Sequence, residues 1–182
     1  IVEQPQGRNY SPGDVVSVIG PIGEGFPLKR DVQQLLLIAQ DYPPIRLLFL
    51  MNQALRSGMS VTLVLTGDAR EAYPINLLSP AVEVIQSDNA VNWADQRQTF
   101  LWAEQVFAVT SPALWIDYYA MLLRAAEESR HALPEGYLHG VFDFPLPCGT
   151  GGCMACMVRS KDGNQLACLD GASFDLARIK FG

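Results

Sequence analysis

Hydrophobic positions along the chain change their period repeatedly, and the changes predict alternating strands and helices. Residues 15–19, Val-Val-Ser-Val-Ile, form a short apolar run that predicts a strand. The run stops at Gly20-Pro-Ile-Gly-Glu-Gly-Phe-Pro, too rich in glycine and proline to continue regular structure. Residues 35–39, 61–66, 82–86 and 105–110 are near-continuous apolar stretches, the pattern of strands covered on both faces. Between them, residues 45–57 follow a helical period, with Pro44 near the first turn and Gly58 at the end. Residues 93–102 and 112–130 predict two more helices, the second with Ser111 as N-cap and Pro112 at its first position. The alternation predicts an α/β fold with an open parallel five-stranded sheet flanked by helices. Residues 140–147 read as a connector, with a boundary near Pro145. No internal repeat or low-complexity tract interrupts the pattern.

Composition narrows the function classes. The 182 residues are 49% hydrophobic and 18% charged, which fits a globular chain with one full core rather than a disordered one. Thirteen basic against 19 acidic side chains give a net charge of -6, and no Lys/Arg cluster gathers the cations that nucleic-acid phosphates require. The apolar runs near residues 35–39 and 47–51 are separated by Asp41, Pro43, Pro44 and Arg46, so neither is long enough for a bilayer span. The opening residues 1–6 lack the charged and apolar regions of a signal peptide.

The cysteines carry the strongest signal. All four, Cys148, Cys153, Cys156 and Cys168, lie near the C-terminus. Their spacing is C-x4-C-x2-C followed by eleven residues and a fourth cysteine, the arrangement of plant-type [2Fe-2S] loops. Gly149, Gly151 and Gly152 between them would let the backbone take positive φ and turn N–H groups toward the sulfurs, which stabilises an added electron. Asp162-Gly163 predicts a two-residue hairpin turn, with Met157 paired to Cys168, so that a small C-terminal subdomain with a β-hairpin delivers the fourth ligand. A zinc-stabilised interaction module is the competing reading, but its usual two C-x2-C knuckles are reduced here to the single pair Cys153 and Cys156. Structural disulfides fit a chain so poor in cysteine less well.

The remaining candidates are weaker. The turn after residues 35–39, Gln40-Asp-Tyr-Pro-Pro-Ile-Arg, lacks the glycines with which a first βα turn cradles a pyrophosphate. Pro43 and Pro44 offer no N–H and Asp41 adds negative charge, with only Arg46 to compensate, so NAD(P) is not expected to bind. His131 and His139 read as exposed polar residues of a helix end and a loop. Trp115, Tyr118 and Tyr119 read as the buried face of a helix, and Glu127-Glu128 as a solvated one. No grouping of Ser, His and Asp suggests a catalytic residue.

Taken together, Gly20-Pro-Ile-Gly-Glu-Gly-Phe, the α/β pattern and the segment from Cys148 through Cys168-Leu-Asp-Gly-Ala-Ser-Phe174 resemble the electron-transfer subunits of dihydroorotate dehydrogenases, in the ferredoxin-reductase superfamily. The resemblance implies a [2Fe-2S] cluster on the four cysteines, an FAD carried mainly by an N-terminal β-barrel and a domain of NAD-binding type. It implies single-electron relay to or from a flavoprotein dehydrogenase partner in a hetero-oligomer, in a reducing cytoplasm, this chain being an electron-transfer component rather than the catalytic subunit. On this basis residues 1–26 would be the closing barrel strand and connector, 27–144 the NAD-domain-like unit and 145–182 the cluster subdomain. Three departures stand out. The barrel is largely missing, so FAD would depend on residues outside this sequence or on a partner. The glycine-rich nucleotide turn is replaced, and a Cys-Gly-Pro motif reads Thr110-Ser111-Pro112. Arg8-Asn-Tyr-Ser11 matches an Arg-x-Tyr-Ser flavin motif only superficially, given its position just before Pro12-Gly13. An NAD(P)H-dependent flavin reductase is the enzyme-class alternative.

Overall fold

The computed structural model describes residues 11–181. Its centre is a sheet in which β1 (Gln34–Gln40), β2 (Ser60–Thr66), β3 (Val82–Ser87), β4 (Gln105–Thr110) and β5 (Leu138–Val141) run parallel in the order β3-β2-β1-β4-β5. The number of parallel strands agrees with the sequence pattern, and β1 to β4 fall where it placed them, whereas β5 does not. A sixth strand, β8 (Ser173–Asp175), was not anticipated: it returns from the cysteine-bearing segment and pairs antiparallel with β5, joining His139 to Asp175 and Val141 to Ser173.

Both faces of the sheet are covered because neighbouring residues of the central strands enter different cores. Leu36 and Ile38 of β1, with Val106 and Ala108 of β4, face one cluster, while Leu35, Leu37, Phe107 and Val109 face the other. The second core is closed by α1 (Leu48–Arg56), whose Leu50, Met51 and Ala54 are buried. The first is closed by α2 (Gln96–Trp102) and α3 (Trp115–Ser129), through Phe100, Tyr118, Tyr119, Leu122 and Ala126. Cys156, Val158, Ala167, Cys168, Phe174 and Leu176 belong to this same cluster. The cysteine segment is therefore packed continuously with the α/β core.

Several expectations need correcting. Residues 15–19 form no strand, and Val15, Val16, Val18 and Ile19 are 51–99% exposed. Apolar character alone is insufficient, since a strand needs a neighbour for its N–H and C=O groups and none lies alongside among the described residues. The fifth parallel strand, β5, begins at Leu138 inside a stretch read as loop and connector. His139 is consequently buried at 6% exposure, stacked on Phe107 with ring centroids 4.9 Å apart. His131 is exposed, as are Glu127 and Glu128. The helix expected from residue 93 starts at Gln96, because Asp95 takes a left-handed φ of 57°. Ser111 makes no side-chain capping bond, and residues 112–114 form a 3-10 turn before α3 starts at Trp115. Arg8, Asn9 and Tyr10 lie outside the described residues.

Candidate metal centre

The four cysteines come from a glycine-rich loop, its exit into β6 (Met157–Ser160), and a short helix α4 (Ala167–Asp170) that follows β7 (Gly163–Leu166). The hairpin register differs from expectation: Met157 pairs with Leu166, and Ser160 with Gly163, leaving Lys161 and Asp162 as the turn. Ser160 fixes it, its hydroxyl donating to the Gly163 carbonyl at 2.8 Å and accepting from the Asp162 N–H at 3.2 Å. Gly163, at φ 122°, starts the return strand instead of sitting in the turn. Cys168 thus sits on a helical turn rather than in the ladder, and the Ala167 N–H donates to the Cys156 carbonyl at 3.0 Å to hold the two backbones together.

All four thiols are free, with Cys156 and Cys168 buried, Cys148 half-buried and Cys153 exposed. Among the described residues no three His, Cys, Asp or Glu side chains gather around one metal-ion position. The thiols approach in pairs instead: Cys148 hydrogen-bonds with Cys153, and Cys168 with Cys156, while Cys148 also lies close enough to act electrostatically on Cys168. Backbone amides of Thr150 and Cys153 donate to Cys148, pulling its thiol down to about 6 and favouring thiolate. Burial, then the neighbouring Cys156, push the Cys168 thiol up, opposed by the Gly151 N–H. Gly149 and Gly151 have φ of 64° and 81°; Gly152 does not enter the left-handed region, whereas Met154 does, at 58°. Two thiol pairs, one toward solvent and one buried, with inward N–H donors, form a donor set that fits two bridged irons better than a single tetrahedral ion.

The loop is held by the connector before β1. The Gly23 N–H donates to the Cys168 carbonyl at 2.9 Å. A Cβ on Gly23 would lie 2.7 Å from the Ala167 carbonyl oxygen and 3.1 Å from Gly171 Cα, so the backbones meet directly. Each element of the Asp-Gly-x-x-Phe tail has a separate task. Asp170 accepts from the Leu166 N–H at 2.6 Å, Gly171 (φ 104°) lies against Glu24, and Phe174 is buried against Phe142. The connector signal was legible as turn residues; its docking partner was not, because 144 residues separate Gly23 from Cys168 in sequence.

The crevice at the β1/β4 switch of strand order is filled by the chain's own side chains. Asp41, at φ 47°, accepts from the Asp68 N–H at 2.9 Å, and its Oδ1 stands 1.8 Å from where a Gly67 Cβ would be. Arg46 pairs with Asp143 at 2.9 Å, and the Tyr42 hydroxyl donates to the same carboxylate at 2.6 Å. Thr110 is fully buried with its hydroxyl unpartnered. Tyr118 is buried near Asp41 and Thr66, and burial, then Asp41, raise its phenol well above the ordinary range.

Residues 146–180 match the family model of the iron-sulfur cluster binding domain of dihydroorotate dehydrogenase B. The chain resembles the electron-transfer subunit of that enzyme. It is 21% identical to the dihydroorotate dehydrogenase B (NAD(+)) electron transfer subunit of Clostridium perfringens (strain 13 / Type A) over 170 residues, 93% of this chain and 68% of the relative. Among solved structures, a chain of an NADH-dependent reduced ferredoxin-NADP oxidoreductase, described for flavin-based electron bifurcation, superposes with a TM-score of 0.60 at 15% identity. That match covers 92% of this chain and 59% of the other, and it establishes the ferredoxin-reductase-like fold. The present chain thus spans about two thirds or less of the proteins it is similar to. No helix among the described residues is long and apolar enough to cross a membrane.

Proposed function

We propose that this chain is an electron-transfer subunit or module that relays single electrons through a [2Fe-2S] cluster to or from a flavoprotein dehydrogenase. The observation that carries the reading is the coincidence of a cluster-binding family match over residues 146–180 with four free thiols in two hydrogen-bonded pairs. Cys148 and Cys153 would hold one iron at the exposed edge, and Cys156 and Cys168 the other, buried one. A cluster bound there supplies one-electron redox chemistry at a potential set by burial and by hydrogen bonds to sulfur. The chain's own part is to favour thiolate at Cys148, aim the Thr150 and Cys153 amides at Cys148 and the Gly151 amide at Cys168, and exclude water from the inner pair. Gly149 and Gly151, at positive φ, would let the loop backbone close around the cluster, a role that the Gly152 backbone does not share.

The partner is proposed to be a flavoprotein dehydrogenase in a hetero-oligomer, and the compartment a reducing cytoplasm. Residues 1–26 would be a connector whose apolar run 15–19 becomes a closing strand only where a neighbouring barrel edge pairs with it, 27–144 the NAD-domain-like scaffold and 145–182 the cluster subdomain. FAD would be held by residues outside this sequence or by the partner. NAD(P) would bind weakly, because a phosphate at the β1 turn would meet Asp41 and Asp68, while Arg46 is already engaged by Asp143. Purified chain should contain iron and acid-labile sulfide in near-equal amounts and give a rhombic EPR signal on reduction. Zinc in place of iron, or neither metal, would overturn the reading, and rapid bleaching by stoichiometric NADH would restore a nicotinamide-dependent flavin reductase.

A further inference from the structure

A groove of about 380 Å³ opens between the start of α3, the segment following β5, β6 and the C-terminal tail. Trp115, Phe142, Phe144 and Phe181 give it aromatic walls. Three of these rings fix one another: the centroid of Trp115 lies 5.3 Å from that of Phe142 and 4.7 Å from that of Phe144, and Phe142 and Phe144 are within 10° of parallel. A slot with rings already held in place loses little entropy on accepting a flat apolar body. Its volume falls in the range of small-molecule sites, about 300–1,000 Å³.

Charge at the rim is one-sided. Arg159 and Lys180 both line the groove, brought together because the Lys180 N–H donates to the Arg159 carbonyl at 3.0 Å. Arg159 forms no ion pair among the described residues. Lys180 feels Asp162, but that carboxylate is held by Arg178. A rigid aromatic slot with two cations on one rim has one complement, a flat apolar body that carries negative charge.

We propose that this groove binds a planar aromatic anion, its ring system packed on Trp115, Phe142 and Phe144 and its anionic group facing Arg159 and Lys180. Neither the ligand set nor the electron-relay reading is needed for this inference.

The test is calorimetric titration of the full, metal-loaded chain with 1-anilinonaphthalene-8-sulfonate, and with N-phenyl-1-naphthylamine as its uncharged counterpart. The expected result is one saturable site for the sulfonate. Affinity should fall about tenfold in the Arg159→Ala/Lys180→Ala double variant while the neutral compound is unaffected. Ile116, 66% exposed at the mouth, provides a second variant: Ile116→Trp should obstruct both compounds without disturbing the core. Both variants should keep the parent iron content, which separates a failure here from a failure of the cluster proposal. Equal binding of the sulfonate by parent and both variants, or non-saturating uptake at many sites, would overturn it. So would self-association that Ile116→Trp abolishes, since the groove would then be covered by a second copy of the chain.

Discussion

Replacing Gly23 by alanine tests how the connector positions the fourth cysteine. Three costs arise from the geometry. An L-residue at φ 67° costs about 1–2 kcal/mol. The added Cβ would sit 2.7 Å from the Ala167 carbonyl oxygen and 3.1 Å from Gly171 Cα, backbone atoms that cannot rotate away, so overpacking adds about 1–3 kcal/mol. Relieving that clash moves the Gly23 N–H away from the Cys168 carbonyl, now at 2.9 Å, and loses about 1 kcal/mol more. The sum is about 3–6 kcal/mol, which for a chain of this size lowers Tm by about 6–24 °C. Because the strain falls on the backbone around Cys168, iron should also be released faster to a chelator. Gly152→Ala is the control: Gly152 lies in the same loop, outside the left-handed region and with nothing within 4 Å of a new Cβ, so it should stay within about 0.5 kcal/mol of the parent. The measurements are thermal unfolding and the rate of iron loss on the same samples. Equal stability and equal iron retention for the two variants would refute the docking argument.

Other outcomes rest on single contacts. Tyr119 donates to the Ala108 carbonyl at 3.2 Å and the Val141 carbonyl at 2.5 Å, so Tyr119→Phe should cost about 1–3 kcal/mol in denaturant unfolding by leaving buried β4 and β5 carbonyls short of a donor. His139 is held below its ordinary value, chiefly by burial and against the pull of Asp175 and the Gly136 carbonyl. The unfolded chain therefore binds the extra proton first, and stability should fall as pH drops below about 6.5 and level off once the folded imidazole is also protonated. His139→Phe, which preserves the stack on Phe107, should flatten that slope in a pH series of unfolding curves. NADH and NADPH should produce negligible heat in titrations at concentrations that saturate ordinary dinucleotide sites; tight 1:1 binding would show that the crevice around Asp41 opens.

The elements that the sequence announced were those whose burial is set locally. Residues 35–39, 61–66 and 105–110 are apolar almost throughout because both faces of their strands are covered; Gly58 closes α1 by backbone chemistry, while Pro44 opens a 3-10 turn (Pro44–Leu47) that leads into it. What escaped was set by partners distant in the chain. Leu138-His-Gly-Val is too short and mixed to announce β5, which exists because β4 and β8 flank it. Gly140 has no side chain for the same reason: a Cβ would lie 2.6 Å from Leu176 and 2.9 Å from the Tyr119 ring. The cysteine spacing was legible because four thiols must reach one small object from a short loop. The hairpin register was missed because Asp162-Gly163 has the residues of a turn, while the Ser160 hydroxyl and the Arg178–Asp162 pair favour turning one residue earlier.

These long-range partners converge on a single consequence for electron transfer. The cysteine segment leaves the sheet after β5, carries the loop and hairpin, and returns as β8 beside the strand it left. The hairpin is tied a second time to the C-terminal tail, through the bridge between Ser160 and Ile179 and the bonds from Lys161 to Arg178 and from Lys180 to Arg159. Gly23 adds a third tether at Cys168. A loop anchored at three places on one continuous core has little freedom to rearrange when the charge on its thiolates changes, and low reorganisation is what an electron relay needs from its protein. The anchoring is also uneven. Cys156 and Cys168 lie inside the core cluster, whereas Cys153 is exposed and flanked by Met154, itself 56% exposed. Substituting serine at Cys168 should therefore cost core packing as well as iron, while Cys153→Ser should cost iron with a smaller change in the unfolding of the metal-free chain. Equal losses of metal-free stability in the two variants would contradict the division into a buried and an exposed pair.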